Sequence, residues 1–205
     1  MQVLERTTEV SFSPLLRRYT LEEFWRLPDP GDRSHYDLIG GQLYMVPPPD
    51  PPHGSVDSRL NKSLVKFLTA NNIGGEVLHP REGIYRDVTL ATYLEPDMMY
   101  VSEDLIRSMG KKRTSADIVF EYSSKSTASY DQTTKADTYL ALGVRELWLI
   151  DSENVLIEVR NARMHESQPV WEIRRYGKGE WAESEVLKGW RVSVNELFEG
   201  LSLNL

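Results

Sequence analysis

Two carboxylates stand at positions where an acidic side chain needs a partner. Glu121 interrupts the apolar run of residues 118–122 (IVFEY), and Asp97 follows Pro96 directly before another apolar run at 98–101. A buried carboxylate must be neutralised, hydrogen-bonded or bound to a cation, because an unpaired buried charge is costly. Two such acids on neighbouring strands would form an oxygen-ligand site for a hard divalent ion such as Mg²⁺. Alternatively, both acids lie at strand ends and bind backbone amides or an arginine.

A candidate cation lies on the helix predicted over residues 128–142. Asp131 and Lys135 are four positions apart and therefore share a helix face. They form either an ordinary surface ion pair, worth about 0.2–0.5 kcal/mol, or a pair in which Lys135 points back over the sheet toward Glu121. In the second arrangement the ammonium group would stabilise a pentavalent phosphate or help to deprotonate a metal-bound water. The spacing leaves both arrangements open.

The composition excludes several other kinds of site. The 205 residues include no cysteine, which excludes disulfide scaffolds and thiolate-ligated zinc or iron–sulfur sites. The four histidines are scattered, so a zinc enzyme is not expected. A net charge of −7 argues against a general nucleic-acid coat protein but is compatible with a nuclease whose metal site is itself acidic. A Gly-x-Ser-x-Gly elbow, a His-Glu-x-x-His motif and a phosphate-binding glycine loop are all missing.

The sequence gives no sign of membrane insertion or export. No apolar run approaches the roughly 18 residues that a spanning helix needs. The N-terminal MQVLERTTEV lacks the apolar segment of a signal peptide. We therefore expect a cytoplasmic protein that does not associate with membranes.

The elements that position these residues follow the order of an α/β fold. The patterns predict a helix from Thr20 that ends before Pro28, a hairpin (36–39 and 42–46) with a Gly40-Gly41 turn, a helix over about 53–72, and strands near 76–78, 83–86 and 96–101. A strand at 116–122, the helix 128–142 stopped by Gly143, and a strand at 146–151 follow. This strand–helix–strand order implies at least one parallel pair. Beyond residue 152 a β meander is predicted, with strands at 155–160, 170–176 and 185–187.

The ordered set of motifs resembles one bacterial protein family. The resemblance covers about residues 19–160 and is carried by Tyr36-Asp37-Leu38-Ile39 with Gly41, Pro48 to His53, Pro96-Asp97, Phe120-Glu121-Tyr122-Ser123, Asp131 with Lys135 and Tyr139, and residues 143–151 (GVRELWLID). Each piece is weak alone, but the complete series is similar to the Uma-type restriction endonuclease family of the PD-(D/E)XK nuclease superfamily. The resemblance implies a restriction-endonuclease-like α/β core, a mixed central sheet flanked by helices, with an antiparallel β extension on the C-terminal side.

The resemblance also implies metal-dependent phosphodiester cleavage. Asp97 matches the aspartate of the Pro-Asp element and Glu121 the acid of the second catalytic strand, and both would ligate Mg²⁺ or Mn²⁺. The superfamily lysine usually stands two residues after that acid, where this chain has Ser123. In this family the lysine's role moves to the following helix, which indicates Lys135. Lys125 is a weaker candidate, because four strand residues beyond Glu121 span about 13 Å.

Three further residues are assigned supporting roles by the resemblance. Asp37 stands where the family has a glutamate that completes the acidic cluster, and it would hold the metal through water. His53 matches a histidine at the start of the first core helix, where it would touch phosphate or a carboxylate; an ordinary helix-terminal histidine is the alternative. Asp131 would orient Lys135. The loop after Ser123 departs from the family pattern, as does Tyr122, which replaces a small aliphatic residue.

The resulting hypothesis is a Mg²⁺-dependent DNA endonuclease that acts as a homodimer. Arg107 and the run 111–113 (KKR) form the best basic patch for steering DNA, although they also fit a solvated turn after a short helix. The alternative function is a catalytically inactive nuclease-fold module for binding or assembly. We expect one domain over residues 1–205, with a nuclease-like core at about 19–160. The extension at about 161–205 would carry the dimer contact or cover the sheet edge.

Overall fold

The structure, a computed structural model, describes residues 17–31, 33–48, 51–86, 91–123 and 128–201. The helices in these ranges are α1 (Leu21–Phe24), α2 (His53–Ala70), α3 (Glu103–Met109), α4 (Ala128–Tyr130), α5 (Ala136–Ala141) and α6 (Val194–Phe198), with a π-helical turn at Asp131–Lys135 between α4 and α5. The strands are β1 (His35–Ile39), β2 (Gln42–Val46), β3 (Glu76–Leu78), β4 (Ile84–Arg86), β5 (Thr92–Leu94), β6 (Met98–Val101), β7 (Ile118–Ser123), β8 (Glu146–Asp151), β9 (Leu156–His165), β10 (Gln168–Tyr176), β11 (Trp181–Glu183) and β12 (Arg191–Ser193). Within those ranges, no helix combines the length and the apolar character needed to cross a bilayer.

The central sheet has six strands in the order β10-β9-β8-β7-β6-β3. β7 and β8 run parallel, and the other neighbouring strands are antiparallel. The helical segment from α4 to α5 joins the parallel pair, as a crossover connection must. The sheet is therefore mixed and flanked by helices, which confirms the predicted α/β class.

Alternation along β7 divides its side chains between two cores. Ile118, Phe120 and Tyr122 pack in a core against α2, whose buried residues recur every four positions (Val56, Leu60, Leu64 and Leu68). Val119 faces the other way, into a core with Tyr139 of α5. Because the side-chain period of a strand is two, Glu121 lies on this second face. The sheet thus presents Glu121 to the helix that carries Lys135.

Beside the central sheet, a hairpin carries Asp37. β1 and β2 pair in the register Asp37–Tyr44 and belong to a second sheet with the order β2-β1-β5-β4. Gly40 and Gly41 form the predicted turn with φ values of 58° and 80°, which suit a residue without a Cβ atom. β5, three residues long, was not predicted from the sequence.

The C-terminal segment packs on the first core. β9 and β10 form a long antiparallel hairpin, and β11 pairs with β12. The predicted strand at 185–187 is wrong, because the backbone N–H groups of Glu185 and Val186 donate to the buried Glu146 Oε2 at 2.7 and 3.1 Å. Those amides are then not available for a sheet ladder. Trp190, only 2% exposed, and α6 extend the core, and the predicted boundary near residue 160 falls inside β9.

Candidate metal and catalytic site

Four elements meet near the end of β7. Met98 of β6 pairs with Phe120 of β7, so the next positions outward are Asp97 and Glu121. The helical segment after β7 crosses this end of the sheet, and β1 approaches from the neighbouring sheet. The structure thereby gathers residues that are distant in sequence around one buried position.

Glu121 is the centre of this group and is 2% exposed. Lys135 Nζ lies 2.9 Å from both of its carboxylate oxygens. The hydroxyl of Tyr139 donates to Glu121 Oε1 at 2.5 Å. Lys135 therefore points back over the sheet and is not part of a surface ion pair.

Asp37 is completely buried beside the same lysine. Its Oδ1 accepts a hydrogen bond from the backbone N–H of Glu95 at 3.1 Å, and its Oδ2 accepts one from the Tyr130 hydroxyl at 3.0 Å. Lys135 Nζ lies 3.6 Å from Oδ2. One ammonium group thus contacts two carboxylates that come from different sheets.

Asp97 is the acid that reaches solvent, with a side chain 24% exposed. Its Oδ2 accepts the backbone N–H of Tyr122 at 2.9 Å. His53, the first residue of α2, places Nε2 3.2 Å from Asp97 Oδ1, although the two atoms are not aligned as a hydrogen bond. Both residues therefore form the solvent-facing side of the candidate site.

The helix that carries Lys135 contains a π-helical turn that the periodicity did not predict. Asp131 and Lys135 begin and end this turn, and both are buried. An inserted π turn rotates the residues after it and is frequent at functional sites. Tyr130 directly before the turn, Lys135 at its end and Tyr139 four residues later all reach the two buried acids.

The charges around Lys135 are unbalanced. Burial lowers the pKa of Lys135, but the carboxylates of Glu121, Asp37, Asp131 and Asp97 outweigh it, so this pKa is raised. Burial raises the pKa of Glu121, and the charges of Asp97 and Asp131 add to it against the opposing effect of Lys135. Both pKa values are raised because the acids around the site outnumber the cation. The site therefore favours additional positive charge.

Buried polar atoms without a hydrogen-bond partner lie close to these acids. Among the described residues they are His53 Nε2, Ser123 Oγ and His35 Nε2. Ser123 stands two residues after Glu121 on the same strand face, and His35 stands two residues before Asp37. A buried polar atom without a protein partner is uncommon, and such atoms beside the acids suit a site for a polar ligand or an ion.

The donor types suit a hard divalent cation. Mg²⁺ prefers oxygen ligands and is commonly held by one or two carboxylates together with waters. In the described ranges no cluster of three or more acidic or histidine side chains is arranged to hold a metal. A metal ion bound here would be held by Asp97 and Glu121 together with waters, with Asp37 behind Lys135.

Several residues of the site were not predicted from the sequence. Tyr130, adjacent to the predicted Asp131, binds Asp37 and stacks on Tyr44 with ring centroids 5.1 Å apart. The Tyr122 hydroxyl donates to Asp57 Oδ1 at 3.0 Å. Asp57 lies four residues after His53 on α2, a helical spacing that could have indicated a shared face.

The basic patch lies away from these acids. β6 runs from Asp97 to α3, so Arg107 and residues 111–113 lie at the opposite end of β6 and β7. Arg107 pairs with Asp104, and Arg113 pairs with Glu82 at 2.8 Å. Lys125, the weaker lysine candidate, and the altered loop 124–127 lie outside the described residues.

The comparison with protein families matches most of the chain. A family model described as "Uma2: Putative restriction endonuclease" matches residues 21–205. The chain belongs to the Uma2 family. This confirms the resemblance that the sequence motifs carried and extends it through the C-terminal segment.

A solved structure supports the fold of this Uma2 chain. It is the crystal structure of a "putative nuclease belonging to DUF820" from Anabaena variabilis ATCC 29413, with a TM-score of 0.66. The sequences are 18% identical over 88% of this chain and 97% of that one. At this identity the likeness establishes the nuclease-like fold alone. No curated protein matches the chain.

Proposed function

We propose that this Uma2 chain is a divalent-metal-dependent endonuclease that hydrolyses phosphodiester bonds of DNA. The observation that carries the proposal is the gathering of Asp37 and Glu121 around one buried lysine, with the solvent-facing Asp97 beside them. A surplus of buried carboxylates favours a cation. The family description supports nucleic-acid cleavage as the reaction class and DNA as the substrate.

Each residue has a role in this proposal. Asp97 and Glu121 would hold Mg²⁺ or Mn²⁺, with Asp37 acting through water. When bound, Mg²⁺ supplies positive charge to the scissile phosphate and lowers the pKa of an attacking water. Lys135 keeps a positive charge beside Glu121, where it can stabilise the negative charge that develops on the phosphate. Asp131 adds negative charge near Lys135 and keeps it protonated.

His53 completes the solvent-facing side. Its buried Nε2 lies 3.2 Å from Asp97 Oδ1, so a protonated ring would add positive charge beside that carboxylate. Tyr130 and Tyr139 orient the carboxylates of Asp37 and Glu121 through their hydroxyl groups. In this proposal His53 acts through its charge, whereas the two tyrosines position carboxylates.

One observation favours the alternative of a catalytically inactive binding or assembly module. Both oxygens of Glu121 contact Lys135, and one of them also accepts the Tyr139 hydroxyl. A carboxylate that is satisfied in this way would have to exchange its partners before binding a metal. In an inactive module the same contacts would serve only stability.

Metal binding measured by calorimetry separates the two functions. We expect Mn²⁺ and Mg²⁺ to bind the wild type and to bind Glu121→Gln much more weakly, with plasmid nicking lost in the same variant. Asp117→Asn is the matched control, because Asp117 is also buried and lies directly before β7, at its far end, where it binds Arg145 and the Ser102 amide. Absence of metal binding by the folded wild type would exclude the endonuclease.

We also propose that two copies of a single-domain chain act together. One chain carries one candidate site, and cleavage of both strands of a duplex needs two. Sedimentation of the protein with and without a DNA duplex tests this. A monomer in both conditions would exclude the homodimer.

A further inference from the structure

The π-helical turn is held from outside by side chains of the β9–β10 hairpin. Arg160 of β9 donates from Nη1 to the backbone carbonyl of Gln132, inside the turn, at 2.8 Å. Trp171 of β10 donates from Nε1 to the carbonyl of Ala136 at 3.2 Å. These two carbonyls lie on either side of Lys135 in the chain.

Arg160 is itself fixed by a buried ion network. Its Nε lies 2.6 Å from Glu158 Oε1, and Arg175 Nε lies 2.6 Å from Glu158 Oε2. Glu158 and Arg160 are 5% and 7% exposed. They pair with Leu149 and Leu147 of β8 and share their face of the sheet, which is the face of Glu121. The guanidinium therefore has little freedom to leave the carbonyl.

Side-chain donors reach several backbone carbonyls in and beside the turn. A π turn replaces the regular hydrogen bonds between residues i and i+4 by bonds between residues i and i+5. Within the same segment, Thr133 and Thr138 donate their hydroxyls to the carbonyls of Ser129 and Thr134, each at 2.6 Å. Arg160 and Trp171 supply donors that the helix does not contain.

We infer that the β9–β10 hairpin clamps the π-helical turn, with Arg160 and Trp171 as positioning residues that hold Lys135 against Glu121. This assigns a task to a hairpin that lies largely beyond the predicted core. Its effect on the catalytic rate depends on the proposed function, whereas its effect on the Lys135–Glu121 contact does not. The two effects are therefore measured separately.

The contact is measured by NMR of the Lys135 ammonium group in protein with nitrogen-15-labelled lysine. Lys135→Arg assigns the signal by removing it. We expect Arg160→Ala and Trp171→Phe to shift or broaden this signal. Arg163→Ala is the matched control, because Arg163 lies on the opposite face of β9 and pairs with Glu172 and Glu185. An unchanged signal in the folded variants would overturn the inference.

Nicking kinetics on the same proteins test the catalytic consequence. We expect kcat to fall about 10- to 100-fold in Arg160→Ala, with KM little changed, since a small misplacement of one catalytic group has effects of this size. An equal fall of kcat in Arg163→Ala would contradict a specific role of Arg160 in positioning Lys135. If Arg160→Ala does not fold, Trp171→Phe carries the test, because it keeps an aromatic side chain while removing the Nε1 donor. If the wild type does not cleave DNA, the proposed function fails and the NMR result still decides the clamp.

Discussion

Lys135 and Glu121 form a buried ion pair in which one ammonium nitrogen lies 2.9 Å from both carboxylate oxygens. The two side chains are each about 3% exposed, and the residues stand 14 positions apart in the sequence, on the π-helical turn and on β7. Because neither group can be hydrated in place, each depends on the other for its charge. This dependence leads to the first prediction.

Lys135→Met should reduce the free energy of unfolding at neutral pH by about 3–5 kcal/mol, because it leaves buried carboxylates without their cation. Adding Glu121→Gln should restore part of the loss, since one of those charges is then removed. Urea unfolding of the two single variants and the double variant gives the coupling. Lys66→Met, at an exposed position of α2, is the control and should change little. Full additivity of the two substitutions would contradict a functional ion pair.

Tyr139→Phe should cost about 1.5–3 kcal/mol, because its hydroxyl donates to a carboxylate in the protein interior. Tyr100→Phe is the comparison, since that hydroxyl donates to the neutral carbonyl of Gly74 at 2.7 Å. Its loss should cost about 0.5–1.5 kcal/mol. Chemical denaturation of both variants measures the difference. Equal costs would show that the Glu121 carboxylate is not charged when it accepts the Tyr139 hydroxyl.

The contact between His53 and Asp97 should make stability depend on pH. Burial lowers the pKa of His53, but the contact with Asp97 and the charges of Asp97 and Asp57 raise it above its ordinary value of 6.5. Stability from this shift is therefore complete below pH 6.5 and is lost as the pH rises through the raised pKa. The free energy of unfolding should be larger for the wild type than for His53→Gln at low pH, and this difference should shrink as the pH rises through the raised pKa of His53.

The acid of this pair should show the opposite dependence. Burial raises the pKa of Asp97, but His53, Lys135 and the Tyr122 amide lower it below its ordinary value of 3.8. The stability that Asp97 adds to the folded protein is therefore present above pH 3.8 and is lost as the pH falls through the lowered pKa. NMR titration measures the pKa of His53, and the free energy of unfolding between about pH 3 and pH 9 shows both the Asp97 and the His53 dependence. A His53 pKa below 6.5 in the folded protein would contradict the predicted sign.

Trp190→Ala should destabilise the protein by about 3–5 kcal/mol, as expected for deletion of a buried tryptophan. Trp190 is 2% exposed, its ring lies 4.9 Å from that of Trp148, and its Nε1 donates to Ser63 Oγ at 3.2 Å. Trp181 lies in the same C-terminal segment but is 42% exposed, so Trp181→Ala should cost far less. Thermal and urea unfolding compare the two. Similar small effects would show that the segment is not part of the core.

The parts of the fold with strong periodicity were predictable from the sequence. The apolar alternation of β7 and the four-residue recurrence on α2 each reflect burial against a single face, which local sequence records directly. The strand expected at 185–187 failed for the converse reason. Its amides bind Glu146, a residue about 40 positions away that local patterns do not include.

Some residues of the candidate site could likewise be predicted from the sequence, and others could not. Asp97 and Glu121 stood out because charges in apolar surroundings need a partner, Lys135 was indicated by the family resemblance, and the structure brings Lys135 onto Glu121. Tyr130 did not stand out, and Tyr139 was named only as part of the family motif with no role, because tyrosine at helical spacing also fits an ordinary core. Their function as donors depends on which acid lies opposite, and only the packing of the helix on the sheet determines that.

The sequence by itself determined the family, the α/β class and the acids that require a cation, because composition, periodicity and ordered motifs are local properties of the chain. The tertiary structure alone decided the π-helical turn and the orientation of Lys135. The periodicity of the sequence does not distinguish an α turn from a π turn, and the outside donors to this segment, Arg160 and Trp171, lie 28 and 35 positions from the carbonyls they bind. Those hydrogen bonds exist only when the β9–β10 hairpin packs beside the helix.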